Sequence, residues 1–256
     1  MDWSAQQYLK FADERTRPVR DLLAAVPGTE IRRAVDLGCG PGNSTEVLAA
    51  RFPEAEITGI DSSPDMIAAA RRRLPALNFE IAQIETWAAY APLDLMLANA
   101  VLQWVPDHAG LLPRLVAGLA EGGTLALQMP DNVEEPTHRL MAELAAREPW
   151  ARKLATAAAG RLPLPGAAWY YRLLAPLCRR VDIWRTTYHH LLAGGAEGVV
   201  DWFKATALRP FLDPLEESER ALFVTQYRNL VADAYSLLPD RRVLLPFPRF
   251  FIVATR

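Results

Sequence analysis

The stretch Asp36-Leu37-Gly38-Cys39-Gly40-Pro41-Gly42 constrains this chain more than any other part of it. It follows the short apolar run Ala34-Val35 and precedes a helix-prone segment, so it reads as the turn between a β-strand and an α-helix. Glycine at 38 and 40 lets the backbone turn sharply and approach a ligand with no β-carbon in the way. The dinucleotide fingerprint needs a glycine three positions after Gly40, where a diphosphate meets the helix N-terminus. Position 43 is asparagine instead, and the third glycine stands at 42, which disfavours an NAD-dependent dehydrogenase. No Gly-Lys-Ser/Thr sequence occurs, so a P-loop is excluded. The turn suits a ligand without phosphate.

Strands and helices alternate on either side of it. A helix from about Pro18 stops at Pro27-Gly28, and Asn43 stands where it can cap the next one, with Glu46 at the third helical position. Further strands are expected over Ile57–Ile60, Phe79–Ala82, Leu93–Asn99 and, after Gly122-Gly123, Thr124–Met129. Ser63 and Pro64 open one intervening helix, and another runs near Gly110–Leu119. This rhythm predicts a Rossmann-like α/β fold, a doubly wound and mostly parallel sheet. Beyond Met129 it breaks. Helices are expected over Thr137–Ala159, Ala167–Leu177, Gly198–Ala207 and Glu216–Leu237, with a strand at Ile183–Leu192. Pro246 and Pro248 cannot donate to a ladder, so the final strand, Phe250–Thr255, should begin after them. The expected organisation is a lead-in and core over 1–130, a helical cap inserted after the fifth strand over 131–181, and completion of the sheet with additional cap helices over 182–256.

A chain of 256 residues buries roughly three-quarters of its extended surface and needs no disulfide staple. Its two cysteines, Cys39 and Cys178, lie far apart without metal-ligand spacing. The net charge of -2 and the lack of a dense basic stripe argue against nucleic acid. Apolar runs such as Leu93–Leu102 are too short to cross a bilayer, and Met1–Phe11 lacks the pattern of a signal peptide. A cytoplasmic protein with no membrane and no obligate protein partner is expected. His189 and His190 are adjacent on an expected strand, point to opposite faces and cannot chelate together, so no metal is expected.

Asp61 closes the second strand about 20 residues past the glycine turn, where an acid accepts hydrogen bonds from ribose hydroxyls. With the Gly-x-Gly-x-Gly turn, this resembles the S-adenosylmethionine (SAM) site of class I methyltransferases. That resemblance places Gln83, Ile84 and Glu85 near adenine, and Asn99, Ala100 and Trp104 under the methionine portion; Trp104 is equally readable as a seal on the apolar core. Longer segments resemble a narrower family, the trans-aconitate 2-methyltransferases. They are Asp2-Trp3 through Tyr8, Phe11, Arg15 and Arg17-Pro18; Asp36 through Thr45; Asn99 through Val105; Trp184 through Tyr188; Leu208 through Leu212; and Leu244 through Arg249. The resemblance spans nearly the whole chain. It implies SAM as cofactor, held by Trp3, Tyr8, Arg15, Asp36, Gly38, Cys39, Gly40, Gly42, Asn43, Asp61, Ser62, Met66, Gln83, Ile84, Glu85, Asn99, Ala100 and Trp104. It also implies methyl transfer to a carboxylate of a small polycarboxylate, giving a monomethyl ester and S-adenosylhomocysteine.

The residues suit that chemistry. A carboxylate with a reference pKa near ~4 is already ionised at neutral pH and needs no general base, so no catalytic acid or base is expected. Proximity and alignment supply much of the catalysis. The distal carboxylates of a polyanion need donors, for which Arg17, Arg185, Arg209, Tyr170 and Tyr171 are the candidates. Two other readings stand beside this one. A methyltransferase for a quinone or sterol-type carbon would call for an apolar cap, and a SAM-binding partner protein would lack turnover.

Overall fold

The computed structural model describes residues 12–28, 30–160, 162–204 and 206–256. Among the described residues seven strands form one sheet: β1 (Arg33–Leu37), β2 (Glu56–Asp61), β3 (Asn78–Ile81), β4 (Leu93–Asn99), β5 (Leu119–Pro130), β6 (Arg180–Leu192) and β7 (Val243–Thr255). Their spatial order is β3-β2-β1-β4-β5-β7-β6. The pairs linking β1 to β5 are parallel, and β7 runs antiparallel to β5, from Thr124 opposite Thr255 to Pro130 opposite Arg249. This is the expected doubly wound α/β architecture.

The central strands are largely apolar, as strands of a parallel sheet buried on both faces are. Val35, Leu37, Leu95, Met96, Leu97, Leu125 and Leu127 are all buried. Truncating one of these leucines to alanine costs about 2–5 kcal/mol. The start of β1 is pinned across the sheet by Asp94, whose Oδ2 accepts the N–H groups of Arg32 and Arg33, each at 2.9 Å. The helix Pro64–Arg73 begins as expected, with Ser63 Oγ accepting the Met66 N–H at 3.4 Å and proline in its first turn. Asp107 caps the helix His108–Ala117 in the same way through Gly110.

Contacts divide the chain into two compact units. The sheet unit holds residues 15–130, 164–186 and 249–256; the second unit is built mainly of 131–163 and 187–248. The expected cap boundary at 181 is therefore not the one the contacts draw. The helix Ala167–Leu174 buries Tyr170 and Leu174 in the same cluster as Leu112, Leu115 and Phe250, which makes it part of the sheet unit. In the second unit, the helices Pro136–Ala145, Ala155–Ala159, Ala196–Lys204, Arg209–Leu212 and Glu217–Ala234 surround Trp150, Phe203, Phe223 and Tyr227. Trp150 Nε1 donates to Gln226 Oε1 at 3.1 Å, and the Tyr227 hydroxyl donates to the Thr137 carbonyl at 3.2 Å.

Several boundaries differ from the sequence reading. Thr137–Ala159 is not one helix: Pro149 cannot continue the hydrogen-bond ladder, and the chain turns between Ala145 and Ala155. Strand β5 starts at Leu119 and carries Gly122-Gly123 within it, the pairing with β4 shifting register between Leu93 and Leu95. Strand β7 begins at Val243, ahead of both prolines. Pro246 and Pro248 precede the stretch paired with β5, which starts at Arg249, so their missing donors break no bond to β5. Pro248 still uses its carbonyl, which accepts the Asp131 N–H at 3.0 Å.

Candidate functional site

The parallel order sets the carboxyl ends of β3, β2, β1 and β4 side by side, the edge at which open α/β sheets bind ligands. Gly38, Gly40 and Gly42 all have positive φ, at 69°, 54° and 89°. Two of them serve different ends. A β-carbon on Gly38 would lie 2.3 Å from Val101 Cγ2, so this glycine admits the segment after β4. A β-carbon on Gly40 would meet nothing within 4 Å, so this one leaves open space. Gly42 is itself the N-cap of the helix Asn43–Arg51, and its left-handed backbone turns the chain into the helix. Asn43 is thus the first helical residue, and its side chain does not cap.

Asp61 ties the end of β2 to this turn. Its Oδ2 accepts the Gly40 N–H at 3.0 Å and its Oδ1 accepts the Ser63 N–H at 2.9 Å. A carboxylate oxygen has two lone pairs, so each keeps one for a ligand hydroxyl. Asp36 lies beneath the turn, fully buried. Its Oδ2 accepts both the Ser44 and Thr45 hydroxyls at 2.7 Å, while Oδ1 has no partner among the described residues. Burial pushes its pKa up to about 6, against the pull of the two hydroxyls and with a smaller push from Asp61. The Cys39 thiol is likewise pushed well up by burial, and Asp36 and Asp61 add to the shift. It is therefore no nucleophile. Open space at Gly40, spare acceptors on Asp61 and an orphaned acceptor on Asp36 fit a ligand rich in hydroxyl or ammonium donors. Two carboxylates at this turn would repel a phosphate.

After β3 the chain turns through Gln83-Ile84-Glu85, adjoining Asp61, whose carbonyl accepts the Ala82 N–H at 3.0 Å. Gln83 and Glu85 are exposed, but the Ile84 side chain is buried in the core. Ile84 thus presents only its backbone to this edge. Arg114 shapes the loop, donating to the carbonyls of Ile84 at 2.7 Å and Glu85 at 2.9 Å, and to that of Trp87. Sequence reasoning missed it: nothing in the spacing of the helix His108–Ala117 separates Arg114 from a surface charge. Ser62 is exposed and Met66 half-buried beside this edge.

Ala100, directly after β4, adopts φ 55°, unusual for a residue with a β-carbon. Its N–H donates to the Gln128 carbonyl at 2.8 Å, and its carbonyl accepts from Gln103 Nε2 at 2.7 Å. Side chains continue the link: Gln128 Nε2 donates to Asn99 Oδ1 at 2.8 Å, and Arg249 Nη1 donates to Gln128 Oε1 at 3.0 Å. Trp104 sits on a 3-10 turn, Leu102–Trp104, with 63% of its surface exposed, so it does not seal the core.

The acceptor candidates fare unevenly. Tyr170 is fully buried, its ring against Trp169, Phe250 and His108. His108 Nδ1 lies 2.7 Å from the Tyr170 hydroxyl, and Nε2 lies 2.8 Å from the Leu102 carbonyl. A carbonyl only accepts, so Nε2 carries the proton and Tyr170 donates to Nδ1. That hydroxyl serves the interior, which corrects its reading as a donor to the acceptor. Tyr171 and Arg185 are exposed. Arg17 pairs with Asp21 at 3.9 Å and Arg209 with Asp213 at 3.4 Å. Trp3, Tyr8 and the side chain of Arg15 lie outside the described residues. His189 is exposed while His190 is buried and stacked on Trp202 at 4.5 Å, the opposite faces expected of neighbours on a strand. Among the described residues no three acids, histidines or cysteines cluster as a metal site, and no helix is long and apolar enough to cross a membrane.

A family model described as a methyltransferase domain matches residues 35–125. The trans-aconitate 2-methyltransferase of Methylobacterium nodulans is 57% identical over 255 residues, covering 100% of this chain and 98% of that protein. That of Afipia carboxidovorans is 54% identical, covering 100% and 99%. Among solved structures, the YcgJ protein from Bacillus subtilis matches with a TM-score of 0.58 at 11% identity, over 94% of this chain and 98% of that one. Haemonchus contortus phosphoethanolamine N-methyltransferase 2, solved with phosphomonomethylethanolamine and S-adenosylhomocysteine, matches with a TM-score of 0.56 at 14% identity, over 94% of this chain and 52% of that one. The two solved structures share the fold, and the full-length sequence identity goes further: this chain belongs to the trans-aconitate 2-methyltransferase family.

Proposed function

We propose that this chain is a cytoplasmic enzyme that methylates one carboxylate of a small polycarboxylate, with trans-aconitate the acceptor and SAM the methyl donor. The observation that carries the reading is full-length identity of 57% to a relative of that name, with the glycine turn and Asp61 intact. Bound SAM supplies a sulfonium-activated methyl group, whose transfer leaves the monomethyl ester and S-adenosylhomocysteine. The chain's own residues then have three tasks. The Gly38–Gly42 turn leaves room for the cofactor, Asp61 accepts its ribose hydroxyls, and Asp36 answers positive charge from beneath. No residue need take a proton, because the acceptor arrives ionised. Arg185, Arg209, Arg17 and Tyr171 remain the candidates for the acceptor's distal carboxylates.

The test is to incubate the protein with labelled SAM and a panel of di- and tricarboxylates and to identify the product. A methyl ester of trans-aconitate is expected. Label on another acid, or none, would replace or sink the assignment.

A further inference from the structure

Arg249, Gln128 and Asn99 stand on neighbouring strands β7, β5 and β4 and form an unbroken chain of hydrogen bonds to the carboxyl end of β4. Gln128 and Arg249 are buried, and Asn99 is half-buried at the edge. The polarity of the chain is not a free choice. A guanidinium only donates, so Gln128 must turn its Oε1 toward Arg249. Its Nε2 then faces Asn99, which must answer with Oδ1. That leaves the Asn99 Nδ2 donors for whatever occupies the end of β4. The Gln128 backbone carbonyl also holds the Ala100 N–H, so one residue fixes both the side chain and the backbone at this point.

We infer that Arg249 is a positioning residue that sets the direction of this relay, so that Asn99 presents a donor to a ligand carboxylate; the inference rests on the methyl-transfer reading above. The charge on Arg249 polarises both amides in the same sense, strengthening the outward donor. At the neighbouring glycine turn the two acids have the opposite character, since Asp36 and Asp61 offer acceptors. A carboxylate is the ligand group that needs a donor, and it has two sources here: the amino-acid end of the cofactor and the acceptor itself.

The decisive variant is Gln128→Glu. An ionised glutamate still accepts from Arg249, now as a compensated buried pair, and the backbone bond to Ala100 is untouched. It offers Asn99 no donor, so the Asn99 amide turns over and presents its oxygen to the ligand. Binding of S-adenosylhomocysteine and of 5′-methylthioadenosine, which lacks the amino-acid end, is measured by calorimetry, with kcat and KM for trans-aconitate alongside. A fall of about tenfold to a hundredfold in S-adenosylhomocysteine affinity, with methylthioadenosine unchanged, supports the relay and assigns it to the cofactor. A comparable rise in KM for trans-aconitate, with nucleoside binding and kcat retained, supports it and assigns it to the acceptor. Equal losses for both nucleosides, or no change in any parameter, overturn it. If Gln128→Glu does not fold, Arg249→Met must give the same split in milder form, and uniform loss there also overturns the proposal. A wild-type protein inert toward trans-aconitate would sink the proposed function instead, and the two nucleosides would then decide the relay alone.

Discussion

Asp61 Oδ2 accepts the backbone N–H of Gly40 at 3.0 Å, so the acid expected to meet the ribose also fixes the turn that leaves room for it. Asp61→Ala should remove the acceptor proposed for the ribose and loosen the turn together. Affinity for S-adenosylhomocysteine should fall by about a hundredfold, as expected for loss of two hydrogen bonds. Asp61→Asn, which keeps one acceptor oxygen, should fall between the two. Calorimetry gives the values, and parental affinity in Asp61→Ala would remove this residue from the site.

The glycines should separate packing from binding. Gly38→Ala drives a β-carbon into Val101 and should lower the melting temperature. A β-carbon at Gly40 meets nothing within 4 Å, so the main folding penalty of Gly40→Val is the left-handed backbone, about 1–2 kcal/mol. Its side chain enters the open space, and cofactor affinity should drop much further than stability does. Equal affinities for Gly40→Val and the parent would move the ligand away from the turn.

Asp36 should leave a mark on pH-dependent stability. Its folded pKa of about 6 lies above the ordinary aspartate value of 3.8, so the folded protein binds the proton more tightly than the unfolded chain. Stability without ligand should therefore fall as pH rises from about 4 to about 6, by about 3 kcal/mol in all, and level off above. Asp36→Asn should abolish that slope, as read by denaturant unfolding across the range. The acceptor carboxylate adds nothing near neutrality, so kcat should stay flat from about pH 7 to 9. A steep rise within that window would indicate a general base, with exposed His189 the first to test.

The tyrosines and arginines beyond the common core should divide by role. Tyr170→Phe strips His108 Nδ1 of its buried donor and should cost about 1–3 kcal/mol of stability, with kcat/KM unchanged in the folded fraction. Arg185→Met or Arg209→Met, where the arginine meets a distal carboxylate, should lower kcat/KM for trans-aconitate by an amount equivalent to about 2–5 kcal/mol. The loss should shrink for a monocarboxylate of similar size. Equal loss on both acceptors would assign these arginines to the fold.

The parts of this molecule legible in its sequence are those whose cause is local. Glycines at 38, 40 and 42, an apolar β1 and Ser63-Pro64 each act through near neighbours, and the core follows from them. The sequence predicts a helix over Ala167–Leu177 and the observed one ends at Leu174, yet its membership of the sheet unit depends on Tyr170 finding His108, 62 positions away. Arg249 reaches Gln128 across 121 positions, and Arg114 reaches Ile84 across 30. No periodicity distinguishes such arginines from surface charges. The prolines of β7 misled because the rule against proline in a sheet applies to a donor that a neighbour needs, and no bond to β5 needs one before Arg249.

The placement of β7 between β5 and β6 has a consequence during synthesis. Five parallel strands are complete once Pro130 has emerged from the ribosome, but the outer edge of β5 waits for a partner made more than about a hundred residues later. Through that interval the nascent sheet presents an apolar, unpaired edge running from Thr124 to Met129, open to self-association. The glycine turn and Asp61 lie at the ends of strands already paired by then, so the edge proposed for the cofactor can form before the sheet is closed. Cofactor present during translation would favour that half-built sheet by mass action, and yield of folded protein would rise with cofactor supply.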